Sequence, residues 1–157
     1  RRVPVVLRSL VRPQGPRLSP LSPRGRLYFA MLAGWVALTL TLTSIPNPEF
    51  GPLFPGADKV AHFGFYGVVG FLFVLWRRET GKGAAGAVVW AAIFAALLGA
   101  VDEFHQQWIP GRSMEFFDWV ADFAGGTAGG FCSAVAASMI PFLLTPKKPP
   151  SSRAATD

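Results

Sequence analysis

Residues 84–106 read AAGAVVWAAIFAALLGAVDEFHQ, eighteen uncharged residues followed at once by an acidic, polar end. A helix of about 20 apolar residues spans the ~30 Å hydrocarbon core of a membrane. An ionisable group at the edge of such a helix is costly to desolvate, so it is a candidate functional residue by default. This stretch therefore predicts a membrane helix that carries functional side chains at one end.

Three further apolar runs have the same character. Residues 27–45 form a run of 19 without a charge, residues 60–76 contain only His62 as an ionisable group, and residues 123–144 contain none. None of them shows the polar stripe at 3.6-residue spacing that a soluble helical bundle requires. The sequence predicts an all-α polytopic membrane protein with four transmembrane helices in one domain, residues 27–145.

The basic residues are distributed unevenly around these runs. Seven of the 15 Lys and Arg residues precede the first run, three lie between the second and third, and three follow the fourth, so that only Lys59 and Arg112 fall in the other two loops. By the positive-inside rule, both termini are expected in the cytoplasm. The net charge of +6 is thus explained by topology, and nucleic acid is not expected as a partner.

The two ends of the chain are polar. Residues 1–26 are rich in Pro, Ser and Arg, and residues 146–157 are also polar, so both are predicted to be disordered cytoplasmic tails. The first apolar run exceeds the 7–15 residues of a signal-peptide core, which favours a retained helix. The single cysteine, Cys132, excludes an intrachain disulfide, and nothing in the sequence requires a cofactor.

Glycine pairs predict how the helices pack. Gly125 and Gly129, and likewise Gly126 and Gly130, are spaced four apart in the fourth run. Small residues at this spacing let helix backbones approach closely in lipid. Packing within the chain is favoured over a dedicated dimer interface, and the oligomeric state stays open.

Asp58 and His62 are four residues apart at the start of the second helix, so they share one face. A carboxylate beside an imidazole suits proton transfer or metal ligation. The alternative is structural: Asp58 caps the helix and His62 forms a hydrogen bond inside the bundle. Lys59 lies between them at the same mouth of the protein.

The third helix ends on Asp102, Glu103 and Gln106, whose spacings of three and four let the side chains converge. Pro110 and Gly111 then have the residue types of a type II turn, which would present Arg112 at its exit. A guanidinium there suits capture of a phosphate or carboxylate group. The alternative is a salt bridge from Arg112 to Glu103 or to Asp118.

Asp118 and Asp122 open the fourth helix. The helix dipole and free amide donors explain a carboxylate at Asp118. Asp122 is one turn deeper, where an unpaired carboxylate is expensive, so it needs a partner such as Arg112, His62 or a bound cation. Trp108 and Trp119 flank the block and are expected to anchor it at the membrane interface.

These motifs, taken in order, resemble the VanZ-like family of small polytopic bacterial membrane proteins. The resemblance covers residues from about 27 to 142 and rests on Asp58-Lys59-x-x-His62-Phe63-x-x-Tyr66, Asp102-Glu103-x-x-Gln106, Pro110-Gly111-Arg112 and Asp118-x-x-x-Asp122-x-x-Gly125. The family usually has Asn where this chain has Asp122. Its founding member is associated with resistance to the glycopeptide teicoplanin, so the resemblance implies a role in the cell envelope without implying a reaction.

The sequence therefore predicts a polar site at the extracytoplasmic mouth of the four helices, formed by Asp58, Lys59, His62, Asp102, Glu103, Gln106, Arg112, Asp118 and Asp122. The preferred function is binding a lipid-linked envelope component or a glycopeptide, with an effect on teicoplanin susceptibility. One alternative is a membrane-embedded, metal-dependent hydrolase or transferase that acts on a lipid-linked phosphate or glycosyl group. A second alternative is a small ion-coupled transporter.

Overall fold

The computed structural model describes residues 21–46 and 54–146 and is all-helical there, as predicted. Four long helices follow one another: α1 Pro23–Thr43, α2 Ala57–Glu79, α3 Ala84–Gln106 and α4 Phe116–Met139. A short 3₁₀ turn, Pro141–Leu143, follows α4. Helices α1, α2 and α3 are long and apolar enough to span a membrane. The chain is thus a helical membrane protein with several apolar helices in contact with lipid.

The helix ends follow local chemistry. Ser22 caps α1, and its hydroxyl accepts a hydrogen bond from the amide of Gly25, so α1 begins four residues before the expected start of the membrane domain at residue 27. Most of the predicted N-terminal tail, residues 1–20, and of the C-terminal tail, residues 147–157, lies outside the described residues. Gly111 has φ 75°, and the amide of Arg112 donates to the carbonyl of Ile109 at 3.1 Å, which fits the predicted turn.

Helix α2 is the centre of the bundle, because it packs against α1, α3 and most extensively against α4. Helix α4 also packs against α3, while α1 touches α3 only slightly. The apolar core, which includes Leu32 of α1, Val69 and Phe73 of α2 and Ala91 of α3, lies along the middle of these helices. Large side chains such as Leu97 and Phe131 stay exposed on the outside, as expected for a surface that faces lipid.

Glycines bring α2 and α4 into backbone contact. A Cβ atom added to Gly70 of α2 would lie 1.9 Å from the carbonyl oxygen of Gly126, and one added to Gly129 would lie 1.9 Å from the oxygen of Gly67. A Cβ on Gly125 would lie 2.2 Å from the oxygen of Phe63. The glycine pairs therefore mediate packing within one chain, as predicted, at distances that no other residue allows.

The two ends of the bundle differ. At one end, Arg24 and Tyr28 of α1 donate to the carbonyls of Leu144 and Leu143, at 2.6 and 2.7 Å. Glu79, at the end of α2, accepts hydrogen bonds there from Ser22 and Thr145. This end joins the first and last described residues. The polar motifs therefore meet at the opposite end, where α1 and α3 finish and α2 and α4 begin.

Candidate functional site

Eight of the nine residues expected at the site lie close together at this polar end, drawn from α2, α3 and α4 and lined by the end of α1. Asp102, Glu103, Asp118 and Asp122 are buried, with 0, 2, 6 and 0% of their surface exposed, and His62 is 7% exposed. Buried carboxylates are rare in proteins unless they are paired or bind a cation. The concentration of four of them in one place makes this end of the bundle the candidate site.

The deepest contact joins α2 to α4. Nδ1 of His62 lies 2.8 Å from Oδ1 of Asp122. The predicted need of Asp122 for a partner is thereby met by His62, one of the three partners considered. Since the carboxylate can only accept, the nitrogen that faces it donates. The expected pairing of His62 with Asp58 does not form, because the His62 ring faces α4 inside the bundle while Asp58 lies at the rim.

Asp102 connects α3 to α1 and α2. Its Oδ1 accepts a hydrogen bond from the hydroxyl of Thr43 at 2.6 Å, and its Oδ2 accepts from the hydroxyl of Tyr66 at 3.3 Å. Sequence reasoning did not assign Thr43 or Tyr66 to the site. Tyr66 follows His62 by four residues and so shares its face of α2, which was a usable signal. For Thr43 the only signal was its position at the end of an apolar helix.

Glu103 holds the loop that leads into α4. Its Oε2 accepts a hydrogen bond from the backbone amide of Glu115 at 2.7 Å. Gln106 approaches Oε1 of the same carboxylate at 3.4 Å, so the predicted convergence holds for this pair and not for Asp102 with Gln106. Glu115, which the sequence analysis did not place at the site, takes the position before the first residue of α4.

Lys59 is the cation at the rim. Its Nζ lies 2.8 Å from Asp58, 3.0 Å from Glu115 and 3.0 Å from Asp118. One ammonium group therefore forms ion pairs with three carboxylates, and two of these side chains are about half-exposed. The expectation that Asp58 caps α2 is wrong, because Gly56 occupies the capping position and Asp58, the second residue of the helix, faces Lys59 instead.

Arg112 lies apart from the acidic residues. Its Nε donates to the carbonyl of Ile45 at 2.9 Å and its Nη2 approaches that of Leu42 at 3.5 Å. The alternative of a salt bridge to Glu103 or Asp118 is wrong: within residues 21–46 and 54–146, Arg112 forms no ion pair. The guanidinium instead reaches carbonyl groups at and just beyond the C-terminal end of α1, where backbone acceptors are available.

The two tryptophans differ in their surroundings. Trp119 donates its indole N–H to the carbonyl of Ala96 at 2.9 Å, which ties α4 to α3 just inside the site. Trp108 is 71% exposed at the end of α3, as an interfacial anchor would be.

Two sets of buried side chains have the composition of a metal site, His62 with Glu103 and Asp118, and His62 with Asp102 and Asp122. In each set the candidate ligand atoms lie within 4.8 Å of one another. A third set, formed by Asp58, Glu115 and Asp118, includes two exposed residues at the rim.

A bundle of apolar helices with a buried cluster of carboxylates and a histidine at one end defines an integral membrane protein with an internal polar site. Residues 12–137 match the family model described as VanZ/LLP1. The chain belongs to that family, which confirms the resemblance drawn from its motifs. No curated protein and no solved structure matches the chain.

Proposed function

We propose that the chain is a four-span protein of the bacterial plasma membrane, with both termini in the cytoplasm and the polar site at its extracytoplasmic mouth. In the sequence, 13 of the 15 basic residues precede the first apolar run, lie between the second and third, or follow the fourth. Such a distribution favours retention of those segments in the cytoplasm. The orientation carries the functional proposal, because only an outward-facing site meets the external part of the envelope.

Helix α4 is the fourth span in this proposal although, unlike α1, α2 and α3, it does not qualify as a membrane span by length and composition alone. At 24 residues it is long enough to cross the membrane. Its polarity comes from its glycines and from Asp118 and Asp122, and all of these face α2 or α3 rather than lipid. A helix that turns its polar and small residues toward its neighbours is compatible with a membrane position.

The site binds the polar part of a lipid-linked envelope component. The observation that carries this is an apolar groove of about 380 Å³ between α2 and α4. The groove extends along both helices from Phe63 and Gly125, which follow His62 and Asp122 in sequence by one and three residues, to Leu72 and Cys132. A polar head in the carboxylate cluster and a hydrocarbon chain in the groove would bind as one molecule.

The chemistry of the cluster indicates which head groups fit. Carboxylates accept hydrogen bonds and attract positive charge, so sugar hydroxyls and amines suit them directly. A phosphate group would be repelled by the four buried carboxylates unless a cation stood between them. A glycopeptide also carries hydroxyls and amines, and interference with glycopeptide action at the outer surface, including a change in teicoplanin susceptibility, is the consequence we propose.

Teicoplanin susceptibility of a glycopeptide-sensitive Gram-positive host tests this function. We expect expression of the parent chain to raise the inhibitory concentration, and Glu103→Ala and Asp118→Asn to abolish the rise at matched membrane levels. Gln107→Ala is the control, because Gln107 lies at the same end of α3 but faces outward and bonds only Phe104. No rise with correctly inserted parent, or an equal loss in the control, would refute the proposed antibiotic role.

The metal-dependent hydrolase or transferase is a second candidate, favoured by the arrangement of His62, Glu103 and Asp118. A divalent ion held there by Glu103 and its neighbours would polarise a phosphate or activate water. Release of phosphate or sugar from a lipid-linked substrate by the purified protein, dependent on Glu103, distinguishes this candidate from simple binding.

A further inference from the structure

The side chains of His62, Glu103 and Asp118 come from three different helices and meet at one point. Each offers a ligand atom, and the three atoms lie within 4.8 Å of one another. We propose that this cluster binds a divalent ion of the first transition row, through Nε2 of His62 and the carboxylates of Glu103 and Asp118. This proposal does not depend on the proposed envelope function, because metal binding can be measured on the purified protein alone.

The orientation of His62 is that of a metal ligand. Its Nδ1 is held by Asp122 at 2.8 Å, and its second nitrogen, Nε2, has no hydrogen-bonding partner among the described residues. A metal-binding histidine usually donates its other ring N–H to a carboxylate, which fixes the tautomer and leaves the second nitrogen free for the ion. Asp122 is therefore a positioning residue for His62.

The charges around the cluster do not balance. Six carboxylates lie at this end of the described chain, on Asp58, Asp102, Glu103, Glu115, Asp118 and Asp122. Lys59 contacts three of them and His62 contacts one, while Arg112 is bonded to carbonyl groups of α1. Within the described residues, one lysine and a histidine that is neutral whenever it binds a metal therefore face six acids. Buried carboxylates need compensating positive charge, and a divalent ion supplies it at the centre of the excess.

Two buried carboxylate oxygens at this end of the bundle lack a hydrogen bond among the described residues. Asp118 is 6% exposed, and its buried Oδ1 accepts no hydrogen bond, although the shared ammonium of Lys59 lies 3.0 Å away without hydrogen-bonding geometry. Oδ2 of the fully buried Asp122 also lacks a donor among the described residues. Buried carboxylate oxygens are normally hydrogen-bonded, so Oδ1 of Asp118, which is held only by the shared ammonium of Lys59, can accept a further ligand in the cluster that it forms with His62 and Glu103.

The size of the cluster fits a small ion. Three atoms within 4.8 Å of one another lie no more than about 2.8 Å (4.8 Å divided by √3) from a common centre, and zinc bonds to nitrogen and oxygen are about 2.0–2.2 Å. Side-chain shifts of under an ångström would complete the coordination. A mixed set of imidazole and carboxylates favours zinc or manganese over magnesium or calcium, which prefer oxygen alone. Three protein ligands would leave a position open for water or substrate.

Metal binding by the full chain, purified in detergent and stripped with EDTA, tests the inference. We expect one Zn²⁺ or Mn²⁺ per chain by elemental analysis and titration, with weaker binding of Mg²⁺. Glu103→Gln and Asp118→Asn, which preserve shape, should weaken the affinity by about 100-fold, and Asp122→Asn by about 10- to 100-fold, the range seen for residues that orient a ligand. The electron paramagnetic resonance spectrum of bound Mn²⁺ should change in the same variants.

His105→Ala is the control, because His105 is an exposed imidazole at the same end of the bundle and belongs to none of the three sets. It should bind the metal like the parent. Asp58→Asn distinguishes the buried cluster from the rim, because Asp58 belongs only to the exposed set. The inference fails if the folded parent binds no stoichiometric metal, or if Asp58→Asn weakens binding as much as Asp118→Asn, since the ion would then lie at the rim. Gel-filtration profiles and helix content show whether each variant is folded. Metal binding without any change in teicoplanin susceptibility would refute only the proposed antibiotic role.

Discussion

Gly70→Ala is expected to separate α2 from α4 and to destabilise the bundle more than almost any other single-methyl change. The added Cβ would lie 1.9 Å from the backbone oxygen of Gly126, which cannot rotate away as a side chain would. Overpacking usually lowers the free energy of unfolding by about 1–3 kcal/mol. Because this clash involves the backbone and lies between α2 and α4, the most extensively packed helix pair, we expect a loss at the upper end of that range, about 3 kcal/mol. Gly129→Ala should behave alike, because its Cβ would lie 1.9 Å from the oxygen of Gly67.

Thermal unfolding of the purified protein in detergent measures this effect. The matched control is Gly34→Ala in α1, where an added Cβ would meet no atom within 4 Å. Since alanine favours helix over glycine by roughly 0.5–1 kcal/mol, Gly34→Ala should be neutral or slightly stabilising. Equal unfolding temperatures for Gly70→Ala and Gly34→Ala would show that α2 and α4 are not packed as described.

His62→Ala is expected to have a similarly large effect, measured on metal-free protein. It removes the partner that lies 2.8 Å from Asp122, whose side chain is fully buried. Breaking a buried ion pair by removing one member costs about 3–5 kcal/mol, because the other charge stays buried without compensation. The double variant His62→Ala with Asp122→Asn removes that charge too, so it should be more stable than His62→Ala alone.

A double-mutant cycle with Asp122→Asn separates this explanation from simple loss of packing. If the losses of the two single variants add in the double variant, the pair is not coupled and the contact has no energetic role. His105→Ala is the control, because His105 is exposed and its ring forms a single hydrogen bond among the described residues, with Ser44 at 3.1 Å. Its effect should stay within about 0.5 kcal/mol.

The fold could be predicted because its determinants are local. Apolar runs set the number and length of the helices, and short connections oblige successive helices to run in opposite directions. Motifs at the start of the second and fourth runs and at the end of the third must then meet at one end. The start of α1 at Pro23 was missed, because the cap formed by Ser22 lies in a stretch whose composition resembles a disordered tail.

The pairings within the site could not be predicted, because they depend on how each helix is rotated about its axis. Spacing along α2 suggested Asp58 as the neighbour of His62, whereas the bundle turns His62 toward Asp122. Charge suggested an acidic partner for Arg112, whereas the free carbonyls at the end of α1 bind it. Hydroxyl groups such as that of Thr43 carry no charge signal, so their contacts emerge only from the packed helices.

The orientation of the polar site relative to the membrane is the central claim, and labelling of single cysteines in intact cells tests it most directly. Cys132 is first replaced by alanine, and Ser113→Cys, beside the site, and Lys82→Cys, at the opposite end, are made separately. Both positions are exposed. We predict that an impermeant maleimide labels the Ser113→Cys variant on intact cells and the Lys82→Cys variant only after permeabilisation. Labelling of the Lys82→Cys variant on intact cells, with protection of the Ser113→Cys variant, would place the site in the cytoplasm and contradict the proposed envelope function.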